Sequence, residues 1–257
     1  MSKATKRERQ RQNRELARAR EQALVKRRQR TKTARNVIIA AVVVVGIAFL
    51  INALQGGGKS KKKAATSTKG VTCQNVNKPA PKSTSFKAAP PMTIDQKKTY
   101  TAVMDTSCGK ITIALDAKNA PVATNNFVFL ARQHFYDDEW FHRIVANFVI
   151  QDGDPKGDGS GGPGYSVKGE VPKDGYPVGA LAAAKGTNEA AGTMGSQYFI
   201  VTSSQGGLTN DYARFGQVTS GMDVVNKIGS FAPQNDTSGT GTPTKTVTIK
   251  SITINES

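Results

Sequence analysis

Residues able to do acid–base, nucleophilic or metal chemistry are few in this sequence, and their spacing excludes the commonest uses. His134 and His142 are the only histidines, and neither has a second histidine or a cysteine at metal-ligand spacing. Asp152, Asp154 and Asp158 are spaced like part of a calcium loop, but Lys156 takes a ligand position and Pro163 stands where the bidentate glutamate belongs. The run GDGSGG at Gly157–Gly162 fits a phosphate-binding glycine pattern, yet Pro163 and Gly164 follow where a helix should begin. It reads instead as a mobile or tightly turning surface connection. No G-x-S-x-G elbow occurs. Neither a metal nor a cofactor is expected. Arg143 in FHR and the aromatic and amide residues Phe148, Gln151, Gln197 and Phe199 show no spacing that by itself singles them out among the chain's many Lys, Arg, Phe and Gln residues. A guanidinium stays charged at any relevant pH and projects several donors in one plane, so it suits electrostatic stabilisation rather than proton abstraction. Taken singly, Arg143 reads rather as a surface salt-bridge partner, Phe148 and Phe199 as core, and Leu208 as a loop contact.

Short strands would have to position these residues. Alternating apolar residues in TYTAVMDT and KITIAL flank Ser107-Cys108-Gly109 and predict a β-hairpin. Pro121 opens a helix in which Phe127, Leu130, Ala131 and His134 recur on one face. Further strands are expected at FHRIV, FVIQDGD, GALAAA, YFIVT and FGQV, and a second helix at GMDVVNKI, with Ser220 as its cap. The closing TVTIKSITIN alternates except between Ile249 and Ile252, a slip that predicts a β-bulge. Many short strands with two helices imply an all-β barrel or sandwich, because the strand–helix alternation of a parallel sheet is missing.

Three ordered blocks, FHRIVANFVIQDGD from Phe141, GTMGSQYFIVT from Gly192 and ARFGQV from Ala213, closely resemble the cyclophilin-type peptidyl-prolyl cis/trans isomerases. The likeness runs from about Tyr100 to the C-terminus, and the loop GDPKGDGSGGPGY is similar to bacterial members; with the segments before it, the chain resembles a membrane-anchored, actinobacterial-like member. The resemblance implies a closed eight-stranded antiparallel barrel capped by two helices. It places the catalytic arginine on Arg143, with Phe148 and Gln151 beside it, and the substrate pocket on Val149, Ala184, Lys185, Gln197, Phe199, Leu208 and Tyr212. Gln151 is expected to hydrogen-bond the substrate backbone. The sequence departs from many eukaryotic relatives at Gly207 for a rim tryptophan, Val149 for methionine, Lys185 for asparagine and Tyr212 for histidine, changes that bear on cyclosporin affinity and peptide preference. The implied activity is isomerisation of X–Pro bonds in unfolded or exported polypeptides; a proline-peptide binding module or chaperone with little turnover is the alternative.

The chain's net charge of +17 would ordinarily suggest nucleic acid, but Met1–Asn36 holds 14 Lys and Arg against three Glu, a surplus of 11. The charge therefore describes a tail rather than a binding face, and nucleic acid is not expected as a partner. Val37–Ile51 has no polar side chain and, extended to Leu54, is long enough to cross hydrocarbon as a helix. Its basic flank orients residues 1–36 to the cytoplasm and the rest outside the cell membrane. A cleaved signal peptide is the alternative, but the basic region is long and no small-x-small site follows. Residues 55–98, rich in Lys, Ser and Pro, read as a flexible linker, and residues 99–257 as the folded, monomeric domain. Two cysteines in an exported segment suggest a bridge between Cys73 and Cys108, with two free thiols as the alternative.

Overall fold

The computed structural model describes residues 70–203, 207–234, 236 and 241–257. The tail of residues 1–36, the apolar span of residues 37–54 and the start of the linker lie outside the described residues. No helix among the described residues is long and apolar enough to cross a membrane.

The hairpin forms where the alternation places it. In β1 (Tyr100–Thr106), Tyr100, Ala102 and Met104 point into the core; in β2 (Gly109–Leu115), Ile111, Ile113 and Leu115 do so. Seven further strands pair with them in one antiparallel sheet: β3 (Glu139–Trp140), β4 (Arg143–Val145), β5 (Val149–Asp152), β7 (Ala180–Ala183), β9 (Tyr198–Val201), β10 (Arg214–Ser220) and β11 (Thr248–Glu256). The order is β3-β11-β1-β2-β10-β7-β9-β5-β4, and β6 (Val167–Lys168) and β8 (Thr193–Met194) make a separate ribbon.

The order of this sheet fixes its shape. Its two end strands, β3 and β4, are separated in sequence only by Phe141 and His142. Nine strands laid flat would put those ends about 38 Å apart. The chain from Trp140 to Arg143 can span only about 11 Å. The sheet is therefore rolled, its ends joined by two residues of chain. The expected eight strands are nine in this sheet, and no ladder joins β3 to β4 among the described residues.

The helix α1 (Pro121–Arg132) buries Phe127, Leu130 and Ala131 as its spacing predicts. Its first turn has no side-chain cap of its own; the Glu170 carboxylate accepts from the backbone N–H groups of Val122 and Ala123 at 2.9 and 3.2 Å. His134 departs from the expected face, because the helix ends at Arg132 and His134 takes a left-handed φ of 55° that turns it to solvent. Phe127 is the centre of the core, with Tyr136, Phe215 and Tyr198 at 5.1, 5.3 and 5.6 Å between ring centroids.

The second helix, α2 (Met222–Gly229), starts from Gly221 rather than from a Ser220 cap, which lies in β10. Gly221 has φ 86° and sits against the Lys110 carbonyl, where a β-carbon has no room. The predicted bulge is in β11: Asp105 faces Ser251 and Thr106 faces Ile249, leaving Lys250 as the extra residue.

Residues 70–98 differ most from expectation. They are extended, yet they are laid along the domain as a strap rather than left as a flexible linker. Cys73 is bonded to Cys108 in the β1–β2 turn, and Cys73 and Ile94 belong to the core. Lys78 stands over the Trp140 ring at 4.2 Å, and Asn125 on α1 accepts from the Thr93 N–H at 2.9 Å.

A buried acidic pair underlies the strap. Glu139 and Asp152 are both inside the fold, and neither oxygen of either carboxylate accepts a hydrogen bond among the described residues. Desolvation, reinforced by Asp152, pushes Glu139 up to about 9 against the opposing pull of Lys82, whose Nζ is 3.7 Å away. Burial raises Asp152 as well, opposed by His142. Glu139 is therefore protonated at neutral pH despite its cationic neighbour. An acid whose pKa is higher folded than unfolded stabilises least at high pH, so stability falls as pH rises from about 4.5 towards 9, by at most roughly 1.4 kcal/mol per unit for this group. Glu139→Gln should flatten that decline in urea titrations run at several pH values. An unchanged slope would mean that Glu139 is ionised in the folded protein.

Candidate active site

Period-two alternation builds the site on the sheet face opposite the main core. Ile150, Ile200, Leu181 and Tyr198 pack inward, whereas Val149, Phe199, Val201, Ala180 and Ala182 form a second apolar cluster. The ladder aligns them: Arg143 faces Gln151, Gln151 faces Phe199, and Phe199 faces Ala182. The β4–β5 turn is three residues long, with Asn147 at φ 54°, a left-handed position that asparagine tolerates.

The result is an apolar cup of about 250 Å³. Phe199 and Val149 form its buried floor, and Phe148 and Leu208 its sides. Tyr212 meets Phe199 edge-on at 5.4 Å, and Ala184 and Lys185 line the side where a larger groove of about 620 Å³ begins. Lys185 lies over the Tyr212 ring, 3.5 Å from Asp211 Oδ2. Gly207, next to Leu208 in the chain, is exposed, and a β-carbon there would meet nothing within 4 Å among the described residues.

A line of amides runs along the rim. Arg143 Nη1 donates to Gln151 Oε1 at 2.9 Å, Gln151 Nε2 donates to Gln197 Oε1 at 3.0 Å, and Gln197 Nε2 donates to the Gly159 and Gly161 carbonyls at 3.0 and 2.9 Å. Both ends of the line dictate its polarity. Guanidinium only donates and a backbone carbonyl only accepts, so each glutamine amide has one permitted orientation. Burial lowers the pKa of Arg143 from its ordinary value, opposed by Tyr212 and Asp236. A guanidinium starts so far above neutrality that it keeps its charge.

All ten predicted catalytic and substrate-binding residues meet here, with Gln197 in the adjoining groove rather than in the cup. The expectation that Gln151 serves the substrate backbone is modified by its two bonds to Arg143 and Gln197, which make it first a holder of the guanidinium. Two contributors escaped the sequence reading. The Tyr176 hydroxyl donates to the Tyr212 carbonyl at 2.8 Å and accepts from the Tyr212 N–H at 2.9 Å, fixing that wall of the cup. The Gly-rich loop, which reads as a mere connection, supplies the carbonyls that anchor Gln197. Its own turn is held by Asp154, whose carboxylate accepts from the N–H groups of Lys156 and Asp158 at 2.9 and 3.0 Å. That is the physical use of Asp154, one of the three aspartates that miscarry as a calcium loop, and no cluster of three or more His, Cys, Asp or Glu able to hold a metal occurs among the described residues.

Residues 101–254 match the family model for cyclophilin type peptidyl-prolyl cis-trans isomerases. A peptidyl-prolyl cis-trans isomerase of Helicobacter pylori is 38% identical over 135 residues, 51% of this chain and 81% of its own length. The Arabidopsis thaliana isomerase CYP18-2 is 36% identical over 135 residues, 51% of this chain and 82% of its own. Among solved structures, the cyclophilin type isomerase of Cryptosporidium parvum determined in the presence of the dipeptide Ala-Pro aligns with a TM-score of 0.54 at 29% identity, covering 60% of this chain and 98% of that one. With the family model spanning more than half of the sequence and an arginine-rimmed apolar cup at the matched positions, the chain belongs to the cyclophilin-type peptidyl-prolyl cis-trans isomerases.

Proposed function

We propose that the cup holds the ring of a substrate proline while Arg143 stabilises the twisted amide. Rotation about an X–Pro bond has a barrier of about 18–20 kcal/mol because it destroys the amide resonance. In the twisted state the prolyl nitrogen regains a lone pair, so a donor beside it favours that state over both planar forms. The observation that carries this reading is the position of the Arg143 guanidinium, held at the rim of an apolar cup by an amide whose orientation is dictated. The Ala-Pro dipeptide present with the Cryptosporidium parvum relative supports proline as the cup's ligand. Shortening a step of about 100 s to milliseconds requires roughly 7 kcal/mol. An oriented cation in a partly dry site, with the ring immobilised, is of the right order. No proton transfer or covalent step is needed.

Lys185 and Tyr212, which line the cup, then set which residues flank the proline. Phe199→Ala should lower kcat/KM for a proline tetrapeptide by about tenfold or more, mostly through KM, since it empties the floor without moving the cation. A loss confined to kcat would show that Phe199 does not hold the ring.

The apolar span at residues 37–54, its basic flank and a disulfide in the following segment support an isomerase anchored in the cell membrane with its domain outside. There it would act, as a monomer, on proline-limited folding of exported chains. Protease added to intact cells should remove the domain if this is right. Complete protection, with digestion only after lysis, would place it inside.

A further inference from the structure

We propose that the N-terminal strap is a positioning element of the active site, holding Arg143 in place through the Gly-rich loop. The proposal rests on the reading of Arg143 as the catalytic cation. Strap and loop are joined at two points that bracket the loop. The Lys82 N–H donates to the Pro155 carbonyl at 2.7 Å, and the Phe86 N–H donates to the Pro163 carbonyl at 2.8 Å. Between these points lie Gly159 and Gly161, whose carbonyls hold Gln197 and, through Gln151, the guanidinium. A loop with this glycine content has little conformational preference of its own. Its carbonyls point one way because Asp154 gathers its N–H groups from within and the strap fixes its two ends from outside.

The strap is in turn well held. Phe86 packs edge-on against Phe129 of α1 at 5.0 Å and lies 6.4 Å from the Tyr165 ring that ends the loop. Gly164 leaves room for the close approach, since a β-carbon there would come within 2.7 Å of the Phe86 carbonyl. Lys82 Nζ donates to the Phe135 and Asp137 carbonyls at 2.6 and 2.5 Å, which registers the strap against the turn that follows α1. Ser85 itself forms part of the wall of the groove beside the cup. The cup floor, by contrast, is built on β5 and β9, which these strap residues do not pair with. Loosening the strap should therefore disturb the cation more than the proline ring.

The test uses the full chain in detergent, with Phe86→Ala and the milder Phe86→Leu, each alone and combined with Gln197→Ala. The single Phe86→Ala change should lower kcat for a proline peptide about tenfold with little change in KM, and Phe86→Leu should lower it less. In the Gln197→Ala background, where the line of amides is already cut, Phe86→Ala should cost nothing further. Independent, multiplying effects, or a lowered melting temperature with kcat intact, would overturn the proposal. Hydrogen exchange supplies a readout free of turnover: the amides of residues 156–162 should exchange faster in both Phe86 variants than in wild type, and unchanged exchange there would also overturn it. Wild-type protein that fails to isomerise the peptide while the exchange difference persists would instead refute the catalytic reading of Arg143 and leave the strap's hold on the loop standing.

Discussion

Arg143→Ala should lower kcat/KM for X–Pro isomerisation by about 10²- to 10³-fold, the usual consequence of deleting one preorganised donor from a site that stabilises developing charge or a lone pair. The loss should fall mainly on kcat, because the cup of Phe199, Val149 and Leu208 still receives the ring. Arg143→Lys should recover only a small part. Lysine keeps the positive charge but offers a mobile point donor, and it cannot satisfy Gln151 Oε1 and face a substrate nitrogen in one plane. Protease-coupled or magnetisation-exchange measurements on a proline tetrapeptide would read both variants. Activity of Arg143→Ala within a few-fold of wild type would remove the arginine from the mechanism and leave ring immobilisation as the main source of rate.

The second large effect concerns stability. Cys73 and Cys108 are 35 residues apart, and opening a loop of that length should cost about 4 kcal/mol in the chain-entropy picture. The consequence extends beyond the unfolded chain. Cys73 is the first fixed point of the strap, its carbonyl accepts from Lys245 Nζ at 3.0 Å, and the neighbouring Gln74 N–H donates to the Ser107 carbonyl at 2.8 Å. A Cys73→Ser/Cys108→Ser variant should therefore unfold at markedly lower urea than oxidised wild type, and reduced wild type should follow the variant. Coincident urea midpoints for all three would show that the strap's remaining contacts hold it without the bond. Such a result would bear on the extracytoplasmic placement too, since the bridge would then give no advantage in an oxidising compartment.

Much of the scaffold is legible in the residue pattern. Tyr100, Ala102 and Met104 alternate against Ile111, Ile113 and Leu115 because an antiparallel strand exposes every second side chain to one face. The slip between Ile249 and Ile252 marks the bulge at Lys250 for the same reason: both isoleucines must reach the core, and an odd spacing demands an extra residue. Helix starts are less well marked. Ser220 has the chemistry of a cap, but the chain passes so close to the Lys110 carbonyl that a glycine has to make the turn. His134 has the right spacing for a helical face and misses it because the helix stops two residues earlier.

Similar reasoning separates the site's parts. The cup and its arginine could be named from the ordered blocks of sequence that resemble the family, and the pairing of β4, β5 and β9 then sets Arg143, Gln151 and Phe199 opposite one another. Tyr176 and the glycine carbonyls could not, because a single tyrosine or a backbone oxygen has no periodic signature. Lys-, Ser- and Pro-rich composition made residues 70–98 look like a spacer, and composition alone does not count the few anchors, Cys73, Lys82, Phe86 and Ile94, that hold such a segment down.

By itself, the sequence determined which faces of the strands are apolar and where α1 begins. Those are properties of near neighbours, set by side-chain period and backbone stereochemistry over a few residues. The tertiary structure decided what the cation is tied to, which carboxylate is kept neutral, and that the N-terminal strap braces the loop beneath the relay. Those depend on partners 36 and 46 residues apart along the relay, and they come together only after the sheet has rolled and its registers are fixed. A hydrogen bond's value lies in geometry within a few tenths of an ångström, and no local pattern carries that over such separations.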